Sequence, residues 1–306
     1  MRKLYASLLL IFLGAIHFCS FGQHRPIFSG YMMNPVLVNP AFTGGEGALS
    51  TALVSRVQWL GVEGGPVTNT LIAHTPLRIR SLGAGTIISY DRFGPLSTFD
   101  ATLMGSYKFK IDRFRITLAG QAAYANTQFN AMSNNEQSIS AAQADPVFQN
   151  ISTTYYRVGL GFNVAYRFYY FGMSMPYITV AANNPYEQNN VFFNQQNIYG
   201  GLNYKITEDI AIKPSVLVKN IKGAGLQADL NLLFTIFDRF TPGISYRVNN
   251  AIVGLIMVNA TRQLSFGYSY DYLTTPLTNY SSGNHEIQLR YTFKYYVNDM
   301  NVRKFK

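Results

Sequence analysis

The sequence predicts a transmembrane antiparallel β-barrel of about 14 strands, and three observations carry that prediction. Charged residues make up only 13% of the 306-residue chain, about half the share found in soluble domains. The hydrophobic share, 48%, is ordinary, so Gly, Ser, Thr, Asn and Gln stand in for the missing charge, with 22 Tyr and 22 Phe beside them. Apolar and polar residues alternate with period two along most of the chain, and the longest connections follow odd-numbered strands. A barrel that shows one strand face to lipid and the other to a wet lumen, with short turns at its periplasmic end, reads this way. Other classes are excluded. There is too little charge for a disordered chain or a coiled coil. One Cys makes neither a disulfide scaffold nor a thiolate metal cluster. A mean hydropathy of +0.02 does not allow repeated membrane helices.

Residues 1–22 read as a secretory signal, with Arg2 and Lys3 before the apolar run Leu8–Ile16 and small residues Ser20 and Gly22 before Gln23. A membrane anchor helix is the rival reading, but the run is short for a span. Cys19 as a lipoprotein site is disfavoured by the bulky His17 and Phe18 before it. Cleavage removes two cations and no acid, so the net charge falls from +10 to +8 and no Cys remains. This points to the envelope of a Gram-negative bacterium.

Residues 23–47 are expected to be irregular. Asn34-Pro35 and Asn39-Pro40 mark turns and Gly44, Gly45 and Gly47 follow, more Pro and Gly than a strand tolerates. Phe28, Tyr31, Met32, Met33 and Phe42 give the segment an apolar load that a disordered leader would not need. The expectation is a segment folded into the periplasmic mouth of the barrel, plugging the lumen.

The barrel is expected over 48–293. Tyr156, Val158, Leu160 and Phe162 alternate with Arg157, Gly159, Gly161 and Asn163; Phe266, Tyr268, Tyr270 and Tyr272 alternate with Ser265, Gly267, Ser269 and Asp271. Strands are placed at 48–59, 67–76, 82–92, 97–111, 114–127, 155–167, 169–179, 197–206, 210–219, 225–237, 240–248, 250–258, 262–273 and 284–293. The long connections 128–154, 180–196 and 274–283 then lie outside the cell. Ile252–Val258 is apolar on both faces, so its lumen side is expected to pack on a plug. A basic tail, 294–306, follows the last strand.

The expected lumen face carries Arg56, Arg115, Arg157, Arg167, Lys213, Arg247 and Arg290 against Asp229, Asp271 and Glu286. Two readings stay open: salt bridges that stiffen the barrel, or a basic interior that receives an acidic or polar plug, either the chain's own N-terminal segment or a partner's tail. On the second, Arg56, Arg157 and Arg290 meet Tyr31, Asn34, Pro35, Asn39, Pro40 and Phe42. The loop 183–197 is rich in amides and aromatics; Tyr186, Phe192 and Phe193, with Tyr280 in the last loop, are candidate partner-binding residues, against the plainer reading of solvated loop. No cofactor is called for. The three His of the mature chain, His24, His74 and His285, lack metal-ligand spacing. His74 is the one plausible base for a barrel hydrolase, but nothing places a nucleophile beside it. The Lys and Arg are spread over strands and turns, which argues against nucleic acid.

Several motifs carry a family resemblance. Gln23–Pro35 (QHRPIFSGYMMNP), Asn39-Pro40-Ala41-Phe42-Thr43-Gly44, Arg56-Val57-Gln58-Trp59-Leu60-Gly61, Tyr90–Pro95 (YDRFGP), Phe171–Pro176 (FGMSMP) and Asn279–Ile287 (NYSSGNHEI) resemble the PorP/SprF membrane proteins of the type IX secretion system. The resemblance spans Gln23 to Phe293 and departs from the family's pattern at Arg25 and Gly30, where an acid and a Gln are expected. It implies an outer-membrane protein of Bacteroidota without catalysis. The implied partners are an exported, adhesin-like surface protein with a type IX C-terminal sorting domain, a periplasmic lipoprotein or other subunits of the secretion and gliding machinery, and outer-membrane lipid. A porin-like diffusion channel and a barrel hydrolase remain as rival classes.

Overall fold

The computed structural model describes residues 28–79, 81–130, 150–183, 195–221 and 225–296. The signal, Cys19, Arg25 and tail residues 297–306 lie outside the described residues. Fourteen staves form one closed antiparallel barrel: β1 (Ala48–Val57), β2 (Val67–Pro76), β3 (Leu82–Phe93), β4 (Leu96–Ile111), β5 (Phe114–Phe129), β6 (Ile151–Tyr166), β7 (Tyr169–Asn183), β8 (Gln195–Leu202, continued by Tyr204–Lys205 after a break at Asn203), β9 (Ile210–Ile221), β10 (Gly225–Ile236), β11 (Phe240–Arg247), β12 (Ala251–Asn259), β13 (Leu264–Leu273) and β14 (Asn284–Tyr296). Each pairs with its sequence neighbours, and β14 pairs back onto β1, which removes every open edge.

The pleat sorts the side chains. On β1, Ser50, Ala52, Val54 and Arg56 are buried in the lumen while Leu53 faces out. Leu103, Leu160 and Ile287 likewise stand on the outer face, each at least 60% exposed. A water-facing sheet would not leave such a band uncovered; lipid covers it.

The wall is uneven. β4, β5 and β6 have 16 residues each, against 8 in β11 and 9 in β12. About 9–11 residues suffice to cross a bilayer. The tall staves therefore stand beyond the membrane at the long-loop end. Their outward face turns polar there: Asn126 Nδ2 donates to Ser152 Oγ (3.0 Å) and Thr154 Oγ1 (3.1 Å).

Most strand ends differ from the sequence expectation by one to four residues, and two of these differences move a named residue or segment. β6 begins at Ile151 and ends at Tyr166, so Arg167 is not a lumen residue. It sits in the two-residue turn to β7 with φ 51°, and its guanidinium lies over the Tyr166 ring at 5.4 Å. β14 runs on to Tyr296, three residues past Phe293, into the expected tail.

Candidate functional site

Residues 28–47 lie inside the barrel. Two single-turn 3₁₀ helices, Pro35–Leu37 and Pro40–Phe42, shape the segment. Each begins with Pro, whose fixed φ suits a first helical position where no N–H is needed. Asn39 caps the second turn, its Oδ1 accepting from Ala41 N–H at 2.8 Å. Tyr31, Asn34, Asn39 and Pro40 are buried, and Pro35 and Phe42 are half-buried. The segment is not confined to the short-turn mouth, as the sequence suggested. Gly44 and Glu46 sit at that mouth, but Ser29 reaches the loop-side ends of β1, β11 and β13.

A buried segment must have its backbone polar groups answered, and lumen side chains answer them in turn. The N–H groups of Ser29 and Gly30 donate to Glu286 at 2.8 and 2.9 Å. Gly30 C=O accepts from Gln288 (3.1 Å) and Met33 C=O from Arg290 (3.1 Å). Val38 C=O accepts from Ser174 (2.7 Å) and Asn197 (2.9 Å), and Thr43 C=O from Ser106 (2.8 Å). Gly44 N–H donates to His74 Nδ1 at 3.2 Å, and Lys108 holds its C=O. His74, the one candidate base, thus takes part in holding the segment. Asn34 Nδ2 donates to Gln288 Oε1 at 2.5 Å, and Tyr31 OH accepts from Asn231 at 2.8 Å.

Two kinds of wall face the segment. One is charged. Arg56 donates to Asp271 (2.6 Å) and Glu286 (3.1 Å). Arg247 meets Asp229 (3.2 Å) and Asp271 (3.5 Å), and Lys219 meets Asp229 (3.3 Å). All six side chains are at least 93% buried. Three cations face three carboxylates, so the cluster is neutral, which burial requires. Ser29 Oγ sits at its centre, donating to Asp271 at 2.8 Å and accepting from Arg56 at 3.0 Å and Arg247 at 3.3 Å. Arg56 and Glu286 are also register partners across the closing β1–β14 seam.

The other wall is bare backbone. Asn39 Nδ2 lies within hydrogen-bonding distance of Phe162 C=O (3.0 Å), Met173 C=O (3.1 Å) and Tyr199 OH (2.9 Å). It reaches the strand carbonyls because Gly161 and Gly172 carry no side chain. An added Cβ at Gly161 would lie 2.1 Å from Asn39 Oδ1, and one at Gly172 would lie 2.2 Å from Tyr199 OH. Phe42 packs on Tyr199 with ring centroids 5.4 Å apart. At Gly30, where the family resemblance leads to a Gln, an added Cβ would lie 2.0 Å from Gln288 Nε2 and 2.7 Å from Glu286 Oε1, so a side chain there would displace the side-chain ends that hold the segment.

The remaining sequence candidates fall elsewhere. Arg157 pairs with Asp100 at 3.0 Å near the tall rim, and Arg290 with Glu46 at 3.1 Å in the lower lumen. Arg115 is exposed at the short-turn end. Val253, on the doubly apolar strand β12, packs with Trp59 and Leu277 from the outer connections rather than with the segment. Those two connections bond to each other through Leu60 and Gly283 (3.0 Å). Tyr280 is 77% exposed in the last connection; Tyr186, Phe192 and Phe193 lie outside the described residues. Lys219 was missed by the sequence reading. It has the same parity on β9 as Lys213, so carrying the alternation six residues further finds it. No cluster of His, Cys, Asp and Glu suited to a metal occurs among the described residues.

The family model described as "Type IX secretion system membrane protein PorP/SprF" matches residues 20–291. The chain belongs to this family. It is an outer-membrane β-barrel of the type IX secretion system. No curated protein matches the sequence. Among solved structures, the Ralstonia pickettii toluene transporter TbuX is similar at 11% identity over 89% of this chain and 96% of that one, with a TM-score of 0.51. The CymD monoaromatic hydrocarbon channel is similar at 10% identity over 90% and 96%, with a TM-score of 0.50. At such identities the likeness is one of fold.

Proposed function

We propose that this barrel retains or helps export a large adhesin-like surface protein by binding its type IX C-terminal sorting domain on the long-loop side. In this reading residues 28–47 keep the lumen shut, and a periplasmic lipoprotein or another subunit of the secretion and gliding machinery meets the short-turn end. Family membership supports the setting. The observation that carries the reading is the run of lumen side chains answering the backbone of one fixed occupant. A passage for solutes would need that space and those groups free.

Two measurements test it. A purified sorting domain fused to a reporter should bind outer-membrane vesicles that contain this barrel and not vesicles that lack it. The purified barrel in planar bilayers should conduct poorly, and conductance should rise when residues 28–43 are removed. Absence of sorting-domain binding would refute the retention role. High conductance by the unaltered protein would favour a porin-like diffusion channel instead.

A further inference from the structure

We infer that the short-turn end of the lumen is a docking site for an acidic, extended stretch of a partner polypeptide. Like charges stand side by side at this end. Lys110 on β4 is the register partner of Arg115 on β5, and both stand on the lumen parity of their strands, in line with the buried Ser106 and Thr117. Both are exposed at the mouth. Lys205 pairs with Ala211, which places it diagonally beside Lys213 on the lumen side of β9. Like charges directly opposite on neighbouring strands are destabilising. Among the described residues none of these four makes an ion pair, although Asp238 and Arg290 both act on Lys213 through space. Nor do the acids of the neighbouring turns, Asp112, Glu208, Asp209 and Asp238, fold back onto them in an ion pair among the described residues.

Repulsion of this kind is relieved by an anion. The mouth already shows which anion it accepts. Glu46 lies deepest in it, one carboxylate oxygen 3.1 Å from Arg290 Nη1 and the other 3.4 Å from Thr292 Oγ1. Beside it, Lys108 holds the C=O of Gly44. A carboxylate and a peptide carbonyl of a polypeptide are thus bound at the floor of the vestibule, by the chain's own segment. The cations above them offer the same chemistry. The two like-charge pairs are three strand steps apart, about 15 Å at the usual spacing, and Arg167 sits in the turn between them. An extended run of about five residues spans that distance. The lumen-side cations Lys110, Arg115, Lys205 and Lys213 also draw such a segment in from solution.

The periplasmic address of this site rests on the orientation used above, with short turns on the periplasmic side; the site itself does not. The test uses the full barrel in zwitterionic detergent and a fluorescent deca-glutamate, read by anisotropy at low salt. Binding is expected, with affinity about 10-fold weaker for Lys110→Gln/Arg115→Gln. That variant removes a repulsion, so its urea midpoint should match or exceed that of the unaltered protein. Glu46→Gln should tighten binding by freeing Arg290, whereas Glu208→Gln, an equal change in net charge on a turn, should not. No binding, equal tightening by both Glu variants, or loss of peptide binding in phosphatidylglycerol nanodiscs would overturn the proposal; the last would assign the cations to lipid headgroups. A thiol-reactive deca-glutamate should label Lys205→Cys in cells only after the outer membrane is opened. Labelling of intact cells would overturn the orientation while leaving the anion site standing.

Discussion

The charged wall and the glycine wall hold the same segment by opposite means. Around Ser29, six ionised side chains from β1, β9, β10, β11, β13 and β14 converge until their charges cancel. Around Asn39, β6 and β7 withdraw their side chains so that one amide reaches strand carbonyls. The first wall binds through charge, whose burial punishes any missing partner. The second binds through close fit, whose loss costs one set of hydrogen bonds. The segment is therefore clamped at Ser29 and only seated at Asn39.

Substitutions at three depths separate the clamp from the seat. Arg56→Leu leaves Asp271 and Glu286 buried with their main cation gone, and should cost about 3–5 kcal/mol. The check is the urea midpoint of the barrel in lipid vesicles; a loss below about 1 kcal/mol would mean that water reaches the cluster and that the walls do not differ. Asn39→Ala should cost about 1–3 kcal/mol, because it strips the amide's donors from the buried Tyr199 hydroxyl and two partly buried strand carbonyls. Proteolysis of residues 28–47, in vesicles opened to the periplasmic side, should quicken while the barrel stays intact. Gly161→Ala should act in the same direction by crowding the same amide. Protection unchanged in both variants would show that Asn39 seats nothing. Smallest is Arg290→Ala. Its pair with Glu46 is partly exposed, 18% and 30%, so a loss of about 0–1 kcal/mol is expected, read by the same urea midpoint. A larger loss would extend the clamp down to the mouth.

Much of this was legible in the sequence. Period-two alternation gave fourteen staves and put Arg56, Arg247, Asp229, Asp271 and Glu286 on one face, because a pleat cannot hide which side a residue is on. Which cation meets which acid was not legible. Asp271 lies one strand from Glu286 and two from Arg56, and only closure of the barrel brings the three together. Arg167 was misplaced because alternation continues through a tight turn when the turn residue happens to keep phase. The glycines of β6 and β7 read as filler among polar residues. Their purpose appears only with Asn39 against them.

The seam between β1 and β14 sets an order of events. Ser29 and Gly30 come near the start of the chain, and their acceptor Glu286 follows 257 and 256 residues later. Gln288 and Arg290 come later still. Until the last strand has crossed into place, the N–H groups of Ser29 and Gly30 lack their acceptor and the Arg56 guanidinium lacks one of its two carboxylates. Loop closure over so long a stretch is entropically costly and slow. Sealing the barrel and seating its occupant are therefore one cooperative step, and a chain cut short before Asn284 would lack both the final stave and the hook that holds its own beginning inside.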